Sequence, residues 1–488
     1  MTYKIEVKTY QNFINGEWVS PQAKQIHKSI NPAIPEEIVG YVPLSKTNEV
    51  DEAVKAAKTA AKTWRKLSGT TRGDYLRKTA DILEQRLDNV AETMTREMGK
   101  TLVEAKGETL RAIEALRYYS SEGVRAIGEV IPSNEEGAVL FTSRVPLGVV
   151  GLITPWNFPA LIPAWKMAPA LVYGNTVVIK PAIETTVTAM KVLECFVDAG
   201  FPPGVINLVS GRGSTVGNAI CDHADVKALS FTGSNDVGKT IATKAVQRGI
   251  KFQLEMGGKN PAIVTSDANL DLAAELVVNG SMKSTGQKCT ATSRAIVIKD
   301  VYERFREKVI QKLEEIKVGN GLDPDTYMGP VASESQFKNV LNAIKKGQEE
   351  GATITFGGNR ITQPGFEDGY YVEPTLFENV SRDMSIAQEE IFGPVLALLK
   401  VNSLEEALEV ANDVKYGLSA TIITENLKEV LLFMNEIEAG MVRINGESTG
   451  VEVQVPFGGV KASSSQNREL GRAALDFFTS LKTITMKA

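Results

Sequence analysis

From residue 147 onward, short apolar runs alternate with amphipathic segments. The apolar runs are LGVVGLIT, NTVVIK, VINLVSG and VKALSFTG. Amphipathic segments follow these runs near residues 160–173, 185–199, 214–222 and 236–248. Strands that alternate with helices predict βαβ units and a parallel sheet whose two faces are covered. The fold class predicted from this pattern is α/β.

A second alternating set begins after PAIVTSD. Its apolar runs are RAIVIK, VLALLK, ATIIT and MVRIN. Helices are predicted near residues 270–284, 301–316, 333–349, 403–413 and 426–438. The stretch GGNRITQPGFEDGYYVEP between them is rich in turn residues and predicts a loop. A second α/β unit is therefore expected.

Residues 48–127, before the first set, have the helical period. In NEVDEAVKAAKTAAKTWRKL the apolar positions are Val50, Ala53, Val54, Ala57 and Ala61. Thr47 or Asn48 is expected to cap this helix. Further helical runs are predicted at about 70–98 and 100–126.

Two segments alternate apolar and polar residues in the manner of protruding or edge strands. They are residues 128–146 and the final TSLKTITMKA. A β-arm that pairs with another subunit would explain both segments, and an ordinary edge strand is the alternative.

Length and composition narrow the class of protein. A chain of 488 residues is too long for one core, so two or three domains are expected. The net charge of −5, with both signs interspersed, shows no basic footprint for nucleic acid, and none is expected as a partner. The N-terminal MTYKIEVKTYQNF lacks the apolar core of a secretory signal peptide. The most apolar region, 145–179, contains five prolines and Lys166, so no membrane span is expected and the predicted location is cytoplasmic.

The chain has three cysteines, widely spaced, and two histidines, which supply neither a disulfide framework nor zinc-ligand spacing. No metal is expected. Cys289 lies in GQKCTATSR, among small and hydroxylated residues rather than in an apolar periodic run. It is a nucleophile, a metal ligand or a structural residue, and as a nucleophile it needs a helper other than histidine.

Other segments carry residues suited to catalysis or nucleotide binding. Glu255, in LEMGGKNP, ends an apolar strand, where it is either a desolvated general base or a solvated strand-end residue. In TPWNFP two prolines bracket Asn157, whose amide can donate to an oxyanion. FTGS and GRGSTVG fit glycine-rich turns at the carboxyl ends of parallel strands, where nucleotides bind.

Taken together, these segments resemble the aldehyde dehydrogenase superfamily. The family's motifs occur in its order: FINGEW, TPWNFP, KPA, FTGS, LEMGGKNP, GQKCTATSR, EEIFGPV and PFGGVKASS. The likeness covers nearly all of residues 10–485 and implies the aldehyde dehydrogenase fold. That fold has a Rossmann-like cofactor domain (1–127 and 147–255), an α/β catalytic domain (256–455) and a small β oligomerisation arm (128–146 and 470–488). It also implies a homodimer or homotetramer.

The resemblance implies a role for each matching position. Cys289 matches the nucleophile, Glu255 the general base, and Asn157, with the backbone N–H of Cys289, the oxyanion hole. Lys166 and Glu469 match a proton path behind the base. The positions that match cofactor contacts are Thr154, Trp156, Lys180, Ile183, Gly213, Gly217, Gly233, Ser234, Gln336, Glu390 and Phe392.

One departure from the family concerns the choice between NAD and NADP. In KPAIETT the family commonly has glutamate three residues after the lysine, to bind the adenosine ribose hydroxyls, and this chain has Ile183 there, followed by Glu184. A carboxylate at 183 would repel a 2′-phosphate, whereas isoleucine does not. NADP is therefore expected slightly ahead of NAD, and the alternative is that Glu184 reaches the ribose and NAD is used.

Within the superfamily the chain is most similar to the 2-oxoglutarate semialdehyde (2,5-dioxopentanoate) dehydrogenases, through GQKCTATSR, RVPLGVVG and GVEVQVPFGGVKASSS. Such a small-molecule aldehyde carries a carboxylate, for which Lys283 and Arg117 are the candidate cations, with a solvated helix face as the alternative for each. The expected activity is NAD(P)-dependent oxidation of the aldehyde to a carboxylate through a cysteine thioester. Alternatives are succinate semialdehyde or another aliphatic aldehyde, a CoA-acylating dehydrogenase, and a non-catalytic protein that reuses the fold.

Overall fold

The computed structural model describes residues 7–20, 25–125 and 127–487. The first six residues of the N-terminal segment, where the sequence predicts no signal peptide, lie outside this range. In the part of the chain that is described, no helix is both long and apolar enough to cross a membrane.

The strands of the described residues follow one another along the whole chain. In order they are β1 (Asn12–Ile14), β2 (Glu17–Val19), β3 (Ile26–Asn31), β4 (Ile34–Pro43), β5 (Val130–Ile131), β6 (Ala138–Pro146), β7 (Val149–Ile153), β8 (Thr176–Lys180), β9 (Ile206–Leu208), β10 (Val226–Thr232), β11 (Lys251–Glu255), β12 (Asn260–Val264), β13 (Thr292–Ile298), β14 (Thr353–Phe356), β15 (Thr375–Glu378), β16 (Val395–Val401), β17 (Tyr416–Gly417), β18 (Ser419–Ile423), β19 (Met441–Ile444), β20 (Val460–Lys461) and β21 (Thr479–Lys487).

The helices lie between these strands and pack on the sheets. In order they are α1 (Thr47–Trp64), α2 (Gly69–Gln85), α3 (Leu87–Met98), α4 (Leu102–Glu122), α5 (Leu161–Val172), α6 (Thr186–Asp198), α7 (Asn218–Asp222), α8 (Asn235–Arg248), α9 (Leu270–Met282), α10 (Tyr302–Glu314), α11 (Glu334–Glu349), α12 (Ser385–Gln388), α13 (Leu404–Asn412), α14 (Leu427–Glu436) and α15 (Ala473–Phe478). Shorter helical turns of other types cover Ile183–Thr185, Gly213–Gly217 and Lys283–Gly286.

The first large sheet has the strand order β11-β10-β7-β8-β9-β1-β2. The strands from β7 to β11 are parallel, with Ile153 opposite Lys180 and Thr232 opposite Glu255. Parallel strands end at a common edge of the sheet. Residues 154–157, Lys180 and Glu255 therefore come together at the carboxyl edge of this sheet.

The second large sheet has the strand order β14-β15-β16-β13-β12-β18-β19, and only the β14–β15 pairing within it is antiparallel. The chain passes from the carboxyl end of β11 through residues 256–259 to the amino end of β12. Asn260 there lies opposite Thr292 of β13, which the Cys289 segment precedes. The carboxyl edge of the first sheet thus meets the amino edge of the second.

Residues 128–146 and the C-terminal segment, in which apolar and polar residues alternate, form a third, antiparallel sheet of order β21-β6-β5. The pairing of β21 with β6 runs from Thr479 opposite Pro146 to Lys487 opposite Ala138. Their prediction as strands is confirmed. The division into cofactor-binding, catalytic and oligomerisation regions stays a prediction.

The structure differs from the sequence expectation at three helix boundaries. The run predicted over 70–98 is two helices, because Arg86 leaves the helical conformation between α2 and α3. The predicted cap at Thr47 or Asn48 is wrong, since α1 already begins at Thr47 and its cap position is Lys46. The segment predicted as a helix over 214–222 begins with a wider turn at Gly213–Gly217 before α7.

Buried apolar side chains fix the first sheet beneath the edge where the motifs meet. Every residue of β7 and β8 is buried. Trp64, at the end of α1, is 1% exposed, and its ring N–H donates to the carbonyl oxygen of Leu171 in α5 at 3.1 Å. Truncating a fully buried leucine such as Leu152 to alanine lowers the free energy of unfolding by about 2–5 kcal/mol, so the packing of this sheet contributes strongly to stability.

Candidate active site

A cleft of about 390 Å³ lies where the two large sheets meet. Eight of the residues that the sequence predicts for the site lie in its wall: Trp156, Asn157, Gly233, Ser234, Cys289, Gln336, Glu390 and Phe392. Residues for which the sequence predicted no role also line it, namely Pro155, Ile162, Thr232, Met256, Gly257, Asn339, Ala343 and Ile391.

The segment before Cys289 is a left-handed turn. Ser284, Thr285 and Gly286 have φ values of 55°, 57° and 67°. A Cβ atom on Gly286 would lie 2.0 Å from the carbonyl oxygen of Gly393, so only glycine fits there. The turn brings the chain from the end of α9 to Cys289 at the cleft wall.

Asn260 holds the backbone at Cys289. Its Nδ2 donates to the carbonyl oxygens of Cys289 and Ala291, each at 2.8 Å. Its Oδ1 accepts a hydrogen bond from the backbone N–H of Ser419 at 3.0 Å, which links β18 to the same side chain. The position of the cysteine is therefore fixed by the second sheet.

The Cys289 thiol is protonated at neutral pH in this surrounding. Burial raises its pKa to about 12, and the negative charges of Glu390 and Glu255 add to the effect. Cys195 and Cys221 also have pKa values raised to about 11 by burial. An unusually acidic thiol is thus not what distinguishes Cys289; what distinguishes it is its place in the cleft wall beside carboxyl groups.

Glu255 ends β11 and is 2% exposed, so the alternative of a solvated strand-end residue is wrong. Its Oε2 accepts a hydrogen bond from the hydroxyl of Ser464 at 2.5 Å, and its Oε1 meets no donor among the described residues. A Cβ on Gly458 would lie 2.7 Å from Oε1, so glycine leaves room beside it. Burial raises the pKa of Glu255 well above its ordinary value, and the charge of Glu469 raises it further. A carboxyl group of this kind is suited to take up a proton near neutral pH.

A buried polar row lies behind Glu255. Lys166, on α5, donates to the carboxylate of Glu469 and to the hydroxyl of Ser230 at 2.8 Å. The Ser230 hydroxyl donates to Oε1 of Gln253 at 3.0 Å and lies 3.3 Å from Oε1 of Glu469. The structure thus brings the two residues predicted for the proton path into direct contact.

Asn157 contributes a donor at the opposite wall. One N–H of its side-chain amide donates to the carbonyl oxygen of Gln287 at 3.0 Å. The amide has a second N–H, and it is not used in any hydrogen bond with the described residues. Beside Asn157, the ring of Trp156 packs edge-on against Phe392, with ring centroids 5.2 Å apart.

Lys180 and the short turn at Ile183–Thr185 form the side predicted to hold the adenosine ribose. The backbone N–H of Thr154 donates to the carbonyl oxygen of Lys180 at 3.1 Å, and the Lys180 ammonium donates to the carbonyl oxygen of Pro181 at 2.6 Å. Burial lowers the pKa of Lys180 to about 8, and nearby Glu184 partly opposes this. Ile183 is half-buried against the core.

The glycines predicted on this side leave space. A Cβ on Gly217 would approach the Lys180 side chain no closer than 3.7 Å, and one on Gly213 would meet nothing within 4 Å. Across the cleft floor, the backbone N–H of Gly233 donates to the carbonyl oxygen of Glu255 at 3.0 Å, and Ser234 is the cap position of α8. The glycine-rich turn is thereby tied directly to the strand that ends in Glu255.

Glu390 and Phe392 form the remaining wall. Oε1 of Glu390 accepts from the backbone N–H of Gly258 at 3.0 Å, and a Cβ on Gly257 would lie 2.3 Å from its other oxygen. Burial raises the pKa of Glu390 to about 7. Gln336 donates to the carbonyl oxygens of Ile391 and Phe392 at 3.0 and 2.9 Å, so it supports Phe392, whose φ is 59°.

The two cations predicted for a substrate carboxylate do not line the cleft. Arg117 lies on an exposed face of α4 and pairs with Glu84 at 2.6 Å. Lys283 is nearer the nucleophile along the chain and pairs with Glu447 at 3.2 Å. Arg117 thus lies on a solvated, salt-bridged helix face, whereas Lys283 is half-buried in the turn before Cys289.

Sequence reasoning assigned no role to Lys288, the neighbour of Cys289. Its side chain is 8% exposed, and it makes no hydrogen bond or ion pair with the described residues. Burial lowers its pKa to about 8, against the opposing charges of Glu104 and Glu447.

No role was predicted from the sequence for Asn260, Gln287 and Ser464 either, although each lies inside or beside a recognised motif. Glu104 had only the local signal of a helix-capping sequence.

Among the described residues, no group of three or more histidine, cysteine, aspartate and glutamate side chains is arranged to hold a metal ion.

Comparisons with known proteins agree with this geometry. The model of the aldehyde dehydrogenase family matches residues 18–484. An alpha-ketoglutaric semialdehyde dehydrogenase of Bacillus subtilis (strain 168) is 59% identical over 487 residues, which cover 100% of both chains.

Solved structures of related enzymes superpose closely on this chain. A betaine aldehyde dehydrogenase of Staphylococcus aureus in complex with NAD+ has a TM-score of 0.96 at 34% identity, and the match covers 98% of this chain and 95% of that one. A 3,6-anhydro-L-galactose dehydrogenase in complex with NADP has a TM-score of 0.95 at 33% identity, with 98% and 100% covered. The resemblance and the fold class predicted from the sequence are confirmed. The chain belongs to the aldehyde dehydrogenase family.

Proposed function

We propose that the protein oxidises an aldehyde to a carboxylate with NAD or NADP through a thioester on Cys289. The observation that carries this proposal is the carboxyl group of Glu255. It is buried, one of its oxygens lacks a donor, and it is close enough for its charge to raise the pKa of Cys289. A group placed in this way is suited to activate water for hydrolysis of an acyl-enzyme.

The residues of the cleft fit a dinucleotide. Thr154 and Thr232 follow or end strands at the cleft edge, and their buried hydroxyls have no partner among the described residues. The aliphatic part of the Lys180 side chain lies beside Gly217, and the space around Gly213 is open. These groups, with Ser234, Glu390 and Phe392, would hold the cofactor, which supplies a hydride acceptor when bound.

The chain's own residues account for the other steps. The Cys289 thiol gives its proton to a solvent water molecule, and its sulfur adds to the aldehyde carbon. The second amide N–H of Asn157 and the backbone N–H of Cys289 stabilise the oxyanion that forms, and one such donor is typically worth about 10²–10³ in rate. After hydride loss, Glu255 activates the water that releases the acid. Lys166 and Glu469 provide the route by which the proton leaves the base.

The proposed substrate is 2-oxoglutarate semialdehyde. The support is the full-length relative named for this aldehyde. The alternatives, succinate semialdehyde or another aliphatic aldehyde, differ from it in the 2-oxo group or the distal carboxylate. A panel of these aldehydes with NAD and with NADP tests the proposal, which predicts the highest kcat/KM for 2-oxoglutarate semialdehyde. A neutral aldehyde that outperforms both semialdehydes would refute it.

The proposed cation for the distal carboxylate is Lys283, and the structure adds Lys288 as a second candidate because its buried ammonium has no carboxylate partner. A charge-assisted contact is worth about 1.5–3 kcal/mol, so losing it raises KM about tenfold or more. Lys283→Ala and Lys288→Met are compared with Arg117→Ala, using a semialdehyde and a neutral aldehyde of similar length. The variant whose KM rises for the semialdehyde alone identifies the cation, and equal effects on both aldehydes in all three variants exclude them.

The same assay separates hydrolysis from acyl transfer to CoA. A CoA-acylating enzyme has no need of a buried base for water, so turnover is expected without CoA and no acyl-CoA is expected when CoA is present. A protein that only binds would give no turnover with any aldehyde or cofactor.

We also propose a homodimer or homotetramer that assembles through the sheet of β5, β6 and β21. Its strands expose large apolar side chains, among them Val130, Leu481 and Met486. Sedimentation of the wild type and of Leu481→Lys tests this, with dissociation expected in the variant.

A cytoplasmic location is proposed because all three cysteines are unpaired, as in proteins of a reducing compartment.

A further inference from the structure

The first two turns of α4 contact the loop that carries the nucleophile. Thr101 caps this helix, and Oε2 of Glu104 accepts from the Thr101 backbone N–H at 3.1 Å and its hydroxyl at 3.0 Å. Oε1 of the same carboxylate accepts from the backbone N–H of Ser284 at 2.6 Å and from its hydroxyl at 3.0 Å. One carboxylate thus joins the start of α4 to the left-handed turn before Cys289.

The same end of α4 also contacts the segment that carries Asn157. Lys100, which is 1% exposed, donates to the carbonyl oxygen of Asn157 at 2.9 Å and to Oε2 of Glu108 at 2.5 Å. Oε1 of Glu108 accepts from the backbone N–H groups of Ala160 and Leu161 at 2.8 and 3.1 Å. The backbone on both sides of the oxyanion donor is therefore fixed to α4.

Gln287 closes these contacts into a ring. The Asn157 side chain donates to its carbonyl oxygen at 3.0 Å, and the Gln287 backbone N–H donates to the carbonyl oxygen of Ser284 at 3.0 Å. The ring runs from Glu104 to Ser284, Gln287, Asn157 and Lys100, and returns to Glu104 along the short chain segment that enters α4. We refer to these five residues as the α4 ring.

The α4 ring connects the segment that carries Cys289 to the segment that carries Asn157. The distance between the Cys289 sulfur and the Asn157 amide decides how well the oxyanion is stabilised. A donor to a developing oxyanion acts only within a few tenths of an ångström of its proper place, and displacements of about 1 Å cost about 10²-fold in rate. Lys100 pairs with Glu108, and Glu104 and Glu108 lie one turn apart on the same face of α4, so the start of this helix is a rigid spacer between the two segments.

We propose that Glu104 and Lys100 are positioning residues that set the distance between the sulfur of Cys289 and the amide of Asn157. Neither residue lines the cleft, and both act through backbone groups of the residues they hold. The proposal rests on the function proposed above, because it assumes that Cys289 attacks and Asn157 stabilises the oxyanion.

Glu104→Gln tests the carboxylate with little change in size. A glutamine has one carbonyl oxygen and an NH2 group, so it cannot accept all four of the hydrogen bonds that Glu104 accepts. Glu114→Gln is the matched control, since Glu114 is on an exposed part of the same helix and loses the same charge. The measurements are the rate of the pre-steady-state burst of reduced cofactor, the rate of acyl-enzyme hydrolysis, cofactor affinity and Tm.

The expected result for Glu104→Gln is a burst about tenfold to hundredfold slower than that of Glu114→Gln. Acyl-enzyme hydrolysis should also slow, because water addition to the thioester forms an oxyanion at the same carbon, whereas cofactor affinity should change less than twofold. Equal burst rates per active site in the two variants would overturn the proposal, even if Glu104→Gln has the lower Tm.

A double-mutant cycle with Asn157→Ala distinguishes positioning from a general loss of stability. In the wild type, Asn157→Ala should slow the burst by about 10²-fold or more. In Glu104→Gln the same replacement should cost less than about tenfold, because the amide is already displaced. Full additivity would overturn the proposal.

Ser284→Ala is the milder variant, should Glu104→Gln not fold. It removes the hydroxyl contact with Glu104 and leaves the contact of the Ser284 backbone N–H. A burst two- to fivefold slower is therefore expected, with the same loss of additivity toward Asn157→Ala. An unchanged burst would overturn the proposal. The outcome is separable from failure of the proposed function itself, which would appear as normal turnover in Cys289→Ala.

Discussion

The two sides of the cleft are built differently. On the side of Cys289, each reactive group is held by hydrogen bonds from more than one element, as with Asn260, which binds the backbone at Cys289 and also β18. On the side of Lys180, the ammonium bonds to the carbonyl oxygen of the next residue, and half-buried Ile183 offers no polar side-chain group. Bond-making demands fixed geometry, whereas the choice of cofactor depends on which side chain is present. Substitutions on the first side should therefore change rates, and those on the second should change affinities.

The largest effect is expected for Cys289→Ala. Removing a nucleophile typically costs many orders of magnitude, so turnover should fall at least about 10⁴-fold, while cofactor affinity stays within about twofold. Steady-state assays and cofactor titration measure the two quantities. Cys221→Ala is the control, and substantial dehydrogenase activity in Cys289→Ala would break the assignment of this side of the cleft.

Glu255→Gln should slow the steady state by about 10²–10³-fold, the usual range for a general base. A burst of reduced cofactor should remain, followed by slow turnover with acyl-enzyme detectable by mass. Because the pKa of Glu255 is raised, its basic form increases as pH rises, so wild-type acyl-enzyme hydrolysis should speed up with pH and that of the variant should not. If the burst is lost as well, Glu255 serves mainly to deprotonate Cys289.

Lys180→Met should weaken the binding of NAD and NADP by about tenfold to hundredfold, equivalent to a charge-assisted contact of about 1.5–3 kcal/mol, with kcat nearly unchanged. The wild-type ammonium loses its charge as pH rises through about 8, so wild-type affinity should fall there and that of the variant should not. Lys191→Met is the control, because Lys191 contacts Asn89 on α3 instead. A fall in kcat at saturating cofactor would show that the Lys180 side of the cleft also affects the rate of the chemical steps.

Ile183→Glu should give the smallest change, confined to the choice between cofactors. The new carboxylate can accept from the ribose hydroxyls of NAD and repels the 2′-phosphate of NADP. The ratio of kcat/KM for NADP over NAD should fall by about tenfold, or roughly 1.4 kcal/mol, from a wild type that uses NADP at least as well as NAD. A wild type with a strong preference for NAD would point to Glu184 as the residue that already binds the ribose.

The helices and strands were predictable where the hydrophobic period is clear. The helices predicted near 236–248 and 403–413 are α8 (Asn235–Arg248) and α13 (Leu404–Asn412), within one residue at each end. The break at Arg86 was not predictable, because no proline or glycine marks it. The segments that meet at the cleft were predictable from the family's motifs, and the roles of Cys289, Glu255 and Asn157 stay predictions.

The contacts that support the site were not predictable from the sequence. Glu104 and Ser284 are 180 residues apart, and nothing local indicates that they touch. The left-handed turn has serine and threonine at positive φ, where sequence patterns lead one to expect glycine or asparagine. The burial of Lys288 depends on tertiary packing, which a one-dimensional pattern does not contain.

The turn at Ser284 and Thr285 has a consequence for the engineering of heat-resistant variants. A non-glycine residue in the left-handed region costs about 1 kcal/mol or more relative to glycine. Glycine at either position would relieve that cost, but it would also remove a buried hydroxyl that donates to Glu104 from Ser284 or to the carbonyl oxygen of Gly329 from Thr285. The same change would release the chain just ahead of the sulfur to other conformations. Glycine at either position should therefore slow turnover without raising Tm, so these two positions are poor targets for stabilisation.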